Sequence, residues 1–301
     1  MYDLIIIGGG PAGMTAAVYA ARKKLKFIII TKNFGGQAIQ SSEVENYLGY
    51  QYITGAELVG KFQEHLDKFA IEQELSSVET LRQEGDTFIV GTHNGKEFKG
   101  KTVIIASGKA PRMLDVSGEK DFLGRGVTYC ATCDAPLFSG MDVAVIGGGN
   151  SALSAAAQLS VIATKVYLVI LGGIIADEVI TEKVRRAKNV TFYEGYRSKL
   201  IKGETTVTSL IIEDTTEKNE IELSVQGIFV EIGSVPVSGF AADLVELNKT
   251  SEIKVDCRAE TSKPGIFAAG DVTDGPEKQI IIAAGDGAKA ALSAYEYLLK
   301  H

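Results

Sequence analysis

The chain has 301 residues, 45% hydrophobic and 23% charged, which suits a soluble globular protein of about two domains at ~150 residues each. Its 38 acidic and 31 basic side chains leave a net charge of −7, so the basic surface needed to bind a nucleic-acid backbone is excluded. Three cysteines are too few for a disulfide-stapled secreted scaffold, and the longest apolar run, Val166 to Ala176, falls well short of the ~20 residues that cross a membrane.

The N-terminus enters a strand directly at Tyr2–Ile7, without the basic region and cleavage site of a signal peptide, so a reducing cytoplasm is expected. That apolar run leads into Gly8-Gly9-Gly10-Pro11-Ala12-Gly13 and a helical stretch, Met14 to Lys24. Strand, G-x-G-x-x-G and helix in this order make a dinucleotide fingerprint. Gly8 permits the tight turn, Gly10 lets the backbone approach a pyrophosphate, and Gly13 lets helix and strand pack closely. The helix start, after Pro11 and from Ala12 onward, presents free N–H groups to the phosphates.

The next strand, Lys26 to Ile30, ends at Thr31-Lys32, where an acidic residue often receives a ribose; a threonine hydroxyl can serve instead. Gly35-Gly36-Gln37 is a loop able to approach a flat ligand, and Asn46 is a further polar candidate; a plain turn is the alternative at each. Thr54 and Glu57 form a capping box for a helix with a buried stripe of Leu58, Phe62, Leu66 and Phe69, leaving His65 solvated. Asn94-Gly95 marks a hairpin between Thr87–Val90 and Glu97–Phe98, with His93 beside it. A buried parallel strand over 103–106 ends at Ser107-Gly108, a second place to meet the nucleotide, and 111–119 crosses into another domain.

Cys130-Ala-Thr-Cys133-Asp134 carries the chemistry. Two thiols two residues apart can close a ring that takes up and releases two electrons, and the spacing lowers a thiol pKa. Asp134 stands where it could protonate a departing thiolate. The alternatives are a structural disulfide or half a zinc site. Zinc usually needs four ligands, and the other candidates are Cys257 and three scattered histidines, His65, His93 and His301; no metal is expected.

A strand over 142–146 and the loop Gly147-Gly148-Gly149-Asn150-Ser151-Ala152 repeat the strand–glycine–helix unit and imply a second nucleotide-binding-like domain, with Gly147, Gly149, Asn150, Ser151 and Ala152 as its candidate contacts. The next strand, Lys165–Ile170, should end in an acid for a ribose 2′-hydroxyl or an arginine for a 2′-phosphate. It continues instead as Leu171-Gly172-Gly173-Ile174-Ile175-Ala176. Further strands are expected at 191–193, 207–213, 220–223 and 227–232, and a second crossing at 236–239. Ile253, Val255 and Cys257 alternate onto one face, making Cys257 a core residue. A strand from Pro264 ends at Gly270-Asp271, and Lys278-Gln279 opens a helix, Ile280 to Leu299. Small residues make its first half thin enough to pack near a cofactor, and its N-terminus could stabilise negative charge.

These motifs, in this order and over the whole chain, resemble the low-molecular-weight thioredoxin reductases, FAD-dependent disulfide oxidoreductases. The resemblance rests on Gly8–Gly13, Gly35–Gln37, Glu45-Asn46-Tyr47, Cys130–Asp134, Gly147–Ala152, Gly270-Asp271 and Gln279. The C-terminal half is also similar to the flavoprotein reductase of the alkyl hydroperoxide system. The resemblance implies an α/β fold of two Rossmann-like domains, the second inserted into the first. Residues 1–112 and 238–301 would bind FAD, and 113–237 would carry the dithiol. It implies Cys133 beside the flavin, Cys130 as the interchange thiol, Asp134 as general acid, Asp271 at the ribityl–phosphate region and Gln279 near the isoalloxazine ring. Lys278 and Ile280 flank that glutamine. A thioredoxin-like partner, rotation of the inserted domain and a homodimer are implied as well.

One departure bears on the electron donor. NADPH-using members carry His-Arg-Arg-x-x-x-Arg at Ile170–Ala176, and NADH-using relatives place a glutamate near Ile170; here every charged member is absent, and Ser154 and Ala155 replace a glutamate common in the following helix. Charge-assisted hydrogen bonds are worth roughly 1.5–3 kcal/mol each, so losing several weakens NADPH by orders of magnitude. The expected activity is therefore disulfide reduction of a thioredoxin-like protein with a donor other than conventional NADPH, reduced ferredoxin being one. A second expectation is an NADH-linked reductase of a peroxiredoxin, although that enzyme carries an N-terminal extension and this chain begins at the FAD strand. A third is a non-catalytic redox-sensing flavoprotein using Val166–Ala176 for docking.

Overall fold

The chain divides into two units, Met1–Ala110 with Val235–His301, and Pro111–Ser234. The computed structural model describes residues 1–41 and 44–301, with the side chains of Gln40, Thr132 and Cys133 outside that description.

The first unit opens with β1 (Tyr2–Gly9), α1 (Pro11–Arg22), β2 (Phe27–Phe34), α2 (Gly55–Leu66), β3 (Glu72–Leu75), β4 (Val78–Glu84), β5 (Thr87–Thr92), β6 (Glu97–Ile105) and β7 (Lys109–Pro111). Leu4, Ile5, Ile6 and Ile7 are all buried because β1 is central in the sheet and covered on both faces. Leu4 and Ile6 point into one cluster with the alanines of α1, and Ile5 and Ile7 into another with Leu81, Phe88 and Val90. Each such side chain contributes about 1.5–3 kcal/mol of burial. The strand order is β3-β2-β1-β6-β5-β4.

The hairpin expected at Asn94-Gly95 is present, with Gly95 at φ +78°. Beyond it, the two strands expected separately are one. β6 pairs antiparallel with β5 over Glu97–Gly100. The same edge then pairs in parallel with β17 (Ile266–Ala268) over Val103–Ile105, while β1 lies along the other edge. The capping box is formed, Glu57 N–H donating to Thr54 Oγ1 and Thr54 N–H to Glu57 Oε2.

In the second unit, β8 (Val127–Thr128), α3 (Ala131–Asp134), β9 (Asp142–Ile146), α4 (Asn150–Ile162), β10 (Lys165–Ile170), α5 (Glu178–Arg185), β11 (Val190–Glu194) and β15 (Gly227–Val230) build a parallel sheet, order β11-β10-β9-β15-β8, with its helices. β12 (Tyr196–Gly203), β13 (Val207–Asp214) and β14 (Glu220–Ser224) form an antiparallel sheet of three. The connecting segments β7 and β16 (Ser234–Pro236) pair with each other. Both units carry parallel sheets with helices, the two-domain Rossmann-like α/β class expected.

The final helix is α6 (Ile280–Leu298). Its small residues are spent on α1: a Cβ on Gly287 would lie 2.0 Å from the Ala12 carbonyl oxygen, so the two backbones touch. Cys257 corrects an expectation, for it is exposed. The alternation ends at Val255, because the Asp256 carboxylate accepts from the N–H groups of Arg258 (2.8 Å) and Glu260 (2.9 Å) and turns the chain. Ala259, at φ +63°, is the residue that turn buries.

Candidate functional site

In the first unit, the glycine loop is fixed from below and open above. Gly8 sits at φ +113°, where a Cβ would lie 2.2 Å from the Ala106 carbonyl oxygen; a Cβ on Gly13 would lie 1.9 Å from the Gly8 oxygen. A Cβ on Gly10 would meet nothing nearer than the Gly36 Cα at 4.0 Å. Gly10 is the N-cap of α1, with no side-chain cap and no acidic residue in the first turn, so the N–H groups after Pro11 are available to an anion.

Several expected residues surround this opening. Gly35 N–H donates to the Gly9 carbonyl (2.8 Å), which lays Gly36 against Gly10. Gly270, at φ +74°, packs on Ala12 and brings Asp271 to the helix start. Burial pushes the Asp271 carboxyl up in pKa, Lys278 and Lys109 oppose this, and Asp286 adds to it. Asn46 Nδ2 donates to Gln279 Oε1 (2.9 Å), Gln37 Nε2 to the Lys109 carbonyl (2.7 Å), and Ser107 Oγ to the Val237 carbonyl, which leaves Gly108 at φ +67° with open space beside it. Ile280 turns away, packing on Val44, Ile53 and Leu58. Thr31 is withdrawn too: it is buried under Gly9 and its hydroxyl donates to the Asn33 carbonyl. An uncapped helix start, a cradle that a Cβ at Gly10 would line and a half-buried carboxyl fit the pyrophosphate and polyol of a dinucleotide.

Sequence reasoning missed Lys109 and Glu252. Glu252 accepts from Lys109 Nζ (2.9 Å) and lies 3.4 Å from Lys278 Nζ. Burial raises its pKa, but hydrogen bonds from Asn248, Lys109 and Thr250 and the charge of Lys278 outweigh that and hold it at about 2. The carboxylate fixes both ammonium groups that act on Asp271.

In the second unit, Cys130 follows β8 and is disulfide-bonded; the Cys133 side chain lies outside the described residues. Thr128, buried at the end of β8, ties the segment together: its hydroxyl donates to the Asp134 carboxylate and accepts from the Cys130 N–H (3.1 Å). Glu119, also buried, accepts from the Leu114 and Asp115 N–H groups and from the Tyr129 hydroxyl, so it holds the residue before Cys130. Burial and then Glu119 raise the Tyr129 pKa, which keeps that phenol a donor. At the C-terminal end of β15, Glu231 Oε1 accepts from the Ala131 N–H (3.4 Å). Neither Thr128 nor Glu231 was anticipated; an acid closing the apolar run Gly227–Val230 was the available signal for the second.

The repeated glycine loop has the same backbone and different surroundings. Gly147, at φ +137°, has no room for a Cβ against the Glu231 carbonyl oxygen (2.2 Å), while Gly149, the N-cap of α4, faces open space. Ile175 N–H donates to the Gly148 carbonyl (2.8 Å). Asn150 and Asp177 bond reciprocally, Nδ2 to carboxylate at 3.0 Å and N–H to Oδ1 at 2.8 Å. Ser151 is exposed and Ala152 buried. Ile170 is buried, Leu171 and Ile175 are exposed, and Ile174 and Ala176 pack on the core, so the docking stretch suggested by the sequence divides between an interior strand, β10, and a turn that is exposed over 171–173 and at Ile175.

A pyridine nucleotide-disulphide oxidoreductase family model matches residues 2–287, and the chain belongs to that family. The two-domain fold is that of the flavin-dependent oxidoreductases of this family. Among curated relatives, the F component of the alkyl hydroperoxide reductase of Staphylococcus aureus is 41% identical and an NADH dehydrogenase of Bacillus subtilis 39% identical, each over all of this chain. The chain spans about 60% of the length of these relatives. Among solved structures, thioredoxin reductase from Lactococcus lactis superposes with a TM-score of 0.85 at 36% identity, covering all of both chains. A ferredoxin-flavin thioredoxin reductase from Clostridium acetobutylicum has a TM-score of 0.55 at 33% identity, covering 100% of this chain and 99% of that one. Among the described residues, no helix is long and apolar enough to cross a membrane.

Proposed function

We propose that this protein is a FAD-dependent disulfide reductase that passes two electrons through Cys130 and Cys133 to a thioredoxin-like protein, from a donor other than conventional NADPH. The observation that carries the reading is the Cys130–Asp134 segment, clamped by Thr128 and Glu119, in a chain that aligns along its whole length with a thioredoxin reductase.

Gly8–Gly13, Gly35–Gln37, Asn46, Ser107-Gly108, Gly270-Asp271, Lys278 and Gln279 would hold FAD, which when bound would supply the electron pair that reduces the disulfide. The chain's own residues do the rest. The Cys130 thiol gives its proton to the Asp134 carboxylate, the thiolate attacks a partner disulfide, forming one S–S bond and breaking another, and Asp134 returns that proton to the departing thiolate. The Cys133 thiolate then attacks the Cys130 sulfur, re-forms the internal disulfide and releases the second partner thiolate. Two electrons have moved, and each partner sulfur ends as a thiol once protonated.

The donor assignment is supported by the absence of basic residues over Ile170–Asp177 and by the Asp177 carboxylate bonded to the first residue of α4. A 2′-phosphate finds no cation in that stretch. NADH-linked reduction of a peroxiredoxin is the second reading, favoured by the names of the 41% and 39% identical relatives.

Anaerobic titration of the flavin-loaded protein with NADPH, NADH and reduced ferredoxin, followed by flavin bleaching, tests the donor. Rapid bleaching by micromolar NADPH overturns that part, and bleaching by NADH with turnover of a peroxiredoxin selects the second reading. A thioredoxin-like substrate left oxidised by every reduced form overturns the whole.

A further inference from the structure

Glu231 has no part in the exchange just described, yet it meets the dithiol segment. It follows β15, its N–H donates to the Ile146 carbonyl at the end of β9 (2.8 Å), and its own carbonyl lies against Gly147. This is the carboxyl end of a parallel sheet beside the strand where the order reverses, β10 to one side of β9 and β15 to the other. From there the side chain reaches Ala131, the residue after Cys130.

We propose that the Glu231 carboxyl is a positioning residue that sets how readily Cys130 becomes a thiolate, through the negative charge it places at the N–H of Ala131, the residue after Cys130. The proposal rests on the disulfide-reductase reading. A carboxylate at that N–H puts a like charge beside a Cys130 thiolate and opposes it; a neutral carboxyl, or the amide of a glutamine, accepts the same hydrogen bond without the charge. Burial dominates the environment of Glu231 and favours its protonated form, with the Ala131 bond opposing, and no cation contributes. Burial and the Ala131 N–H are the influences on Glu231 itself; the titratable groups beside Ala131 along the chain are Cys130 and Asp134, whose carboxylate is engaged by Thr128. The ends of β9 and the Gly147 loop offer Ile146 and glycines, with no charge. Thiol and carboxyl therefore titrate as a pair, each proton lost making the next harder to lose.

The test is the pH dependence of iodoacetamide alkylation in the flavin-loaded Cys133→Ser/Cys257→Ser protein, where Cys130 is the remaining thiol. With Glu231 present, the rate should rise in two steps. Glu231→Gln should give a single step and, at pH values above the first of the two wild-type steps, alkylation faster by about tenfold, the effect of one pKa unit. Glu231→Asp, which keeps an acid, should retain two steps and guards against misfolding of the amide variant. Superimposable profiles for wild type and Glu231→Gln, or slower alkylation of the latter, overturn the proposal. The measurement needs no protein substrate. A Glu231-dependent profile without thioredoxin reduction sinks the reductase reading alone, and superimposed profiles in an active reductase sink the Glu231 role alone.

Discussion

The two glycine-rich loops share one backbone device and differ in what surrounds it. Both helix starts lack a side-chain cap; on the one at Gly8–Gly13 converges Asp271, with Lys109 and Lys278 near it. At Gly147–Ala152 the first helical residue is bonded to the chain's own Asp177, and the adjoining turn exposes Leu171 and Ile175. Glycine geometry builds the turn in both, and the difference lies in the side chains that later segments deliver. The loop motif is thus a statement about backbone, and the ligand is a statement about its neighbours.

The comparison can be broken most severely at the dithiol. Cys133→Ser should abolish protein-disulfide reduction, by at least about a thousandfold in kcat/KM, while leaving the flavin spectrum in place; turnover assay with absorbance of the purified variant checks both. Next come the glycines. Gly13→Ala forces a Cβ to 1.9 Å from a carbonyl oxygen and should cost about 3 kcal/mol or more, with loss of bound flavin, whereas Gly149→Ala meets nothing within 4 Å and should change the melting temperature little. Comparable losses in both would erase the distinction between the loops. A gain of function sharpens it: Leu171→Arg/Gly172→Arg/Ala176→Arg should tighten NADPH binding by about tenfold or more without tightening NADH, read by equilibrium titration.

The smallest effect concerns Glu252. Its folded pKa of about 2 lies below the ordinary 4.5, so its contribution is fully present above pH 4.5 and is lost as pH falls toward 2. Glu252→Gln should lower stability by roughly 2 kcal/mol at neutral pH and flatten the loss between pH 5 and 2, measured by denaturant unfolding at each pH.

Much of the architecture was legible because local chemistry and tertiary role agree. The apolar run before Gly8, the Thr54–Glu57 box and the Asn94-Gly95 turn each have a physical reason to form where they stand. β12 was not legible: its alternation through Tyr196, Ser198 and Leu200 is broken by register shifts, and Ile201 becomes the buried residue. β3 and β4 carry few apolar residues and sit at the sheet margins. Cys257 misled because two-residue alternation cannot see the Asp256 carboxylate ending the strand. At the dithiol, Cys130 and Asp134 announced themselves, while Thr128, Glu119 and Glu231 did not, since a buried hydroxyl or acid acquires its role from partners distant in sequence.

β6 pairs with β5 along one half of an edge and with β17 along the other. On the ribosome, the half made by Val103–Ile105 emerges long before Ile266–Ala268 exists to cover it. The contiguous Pro111–Ser234 unit can finish folding in that interval, whereas the flanking unit must wait with an apolar strand edge unpaired. Chaperone demand, and the toll of C-terminal truncation, should fall on the unit that holds the first glycine loop.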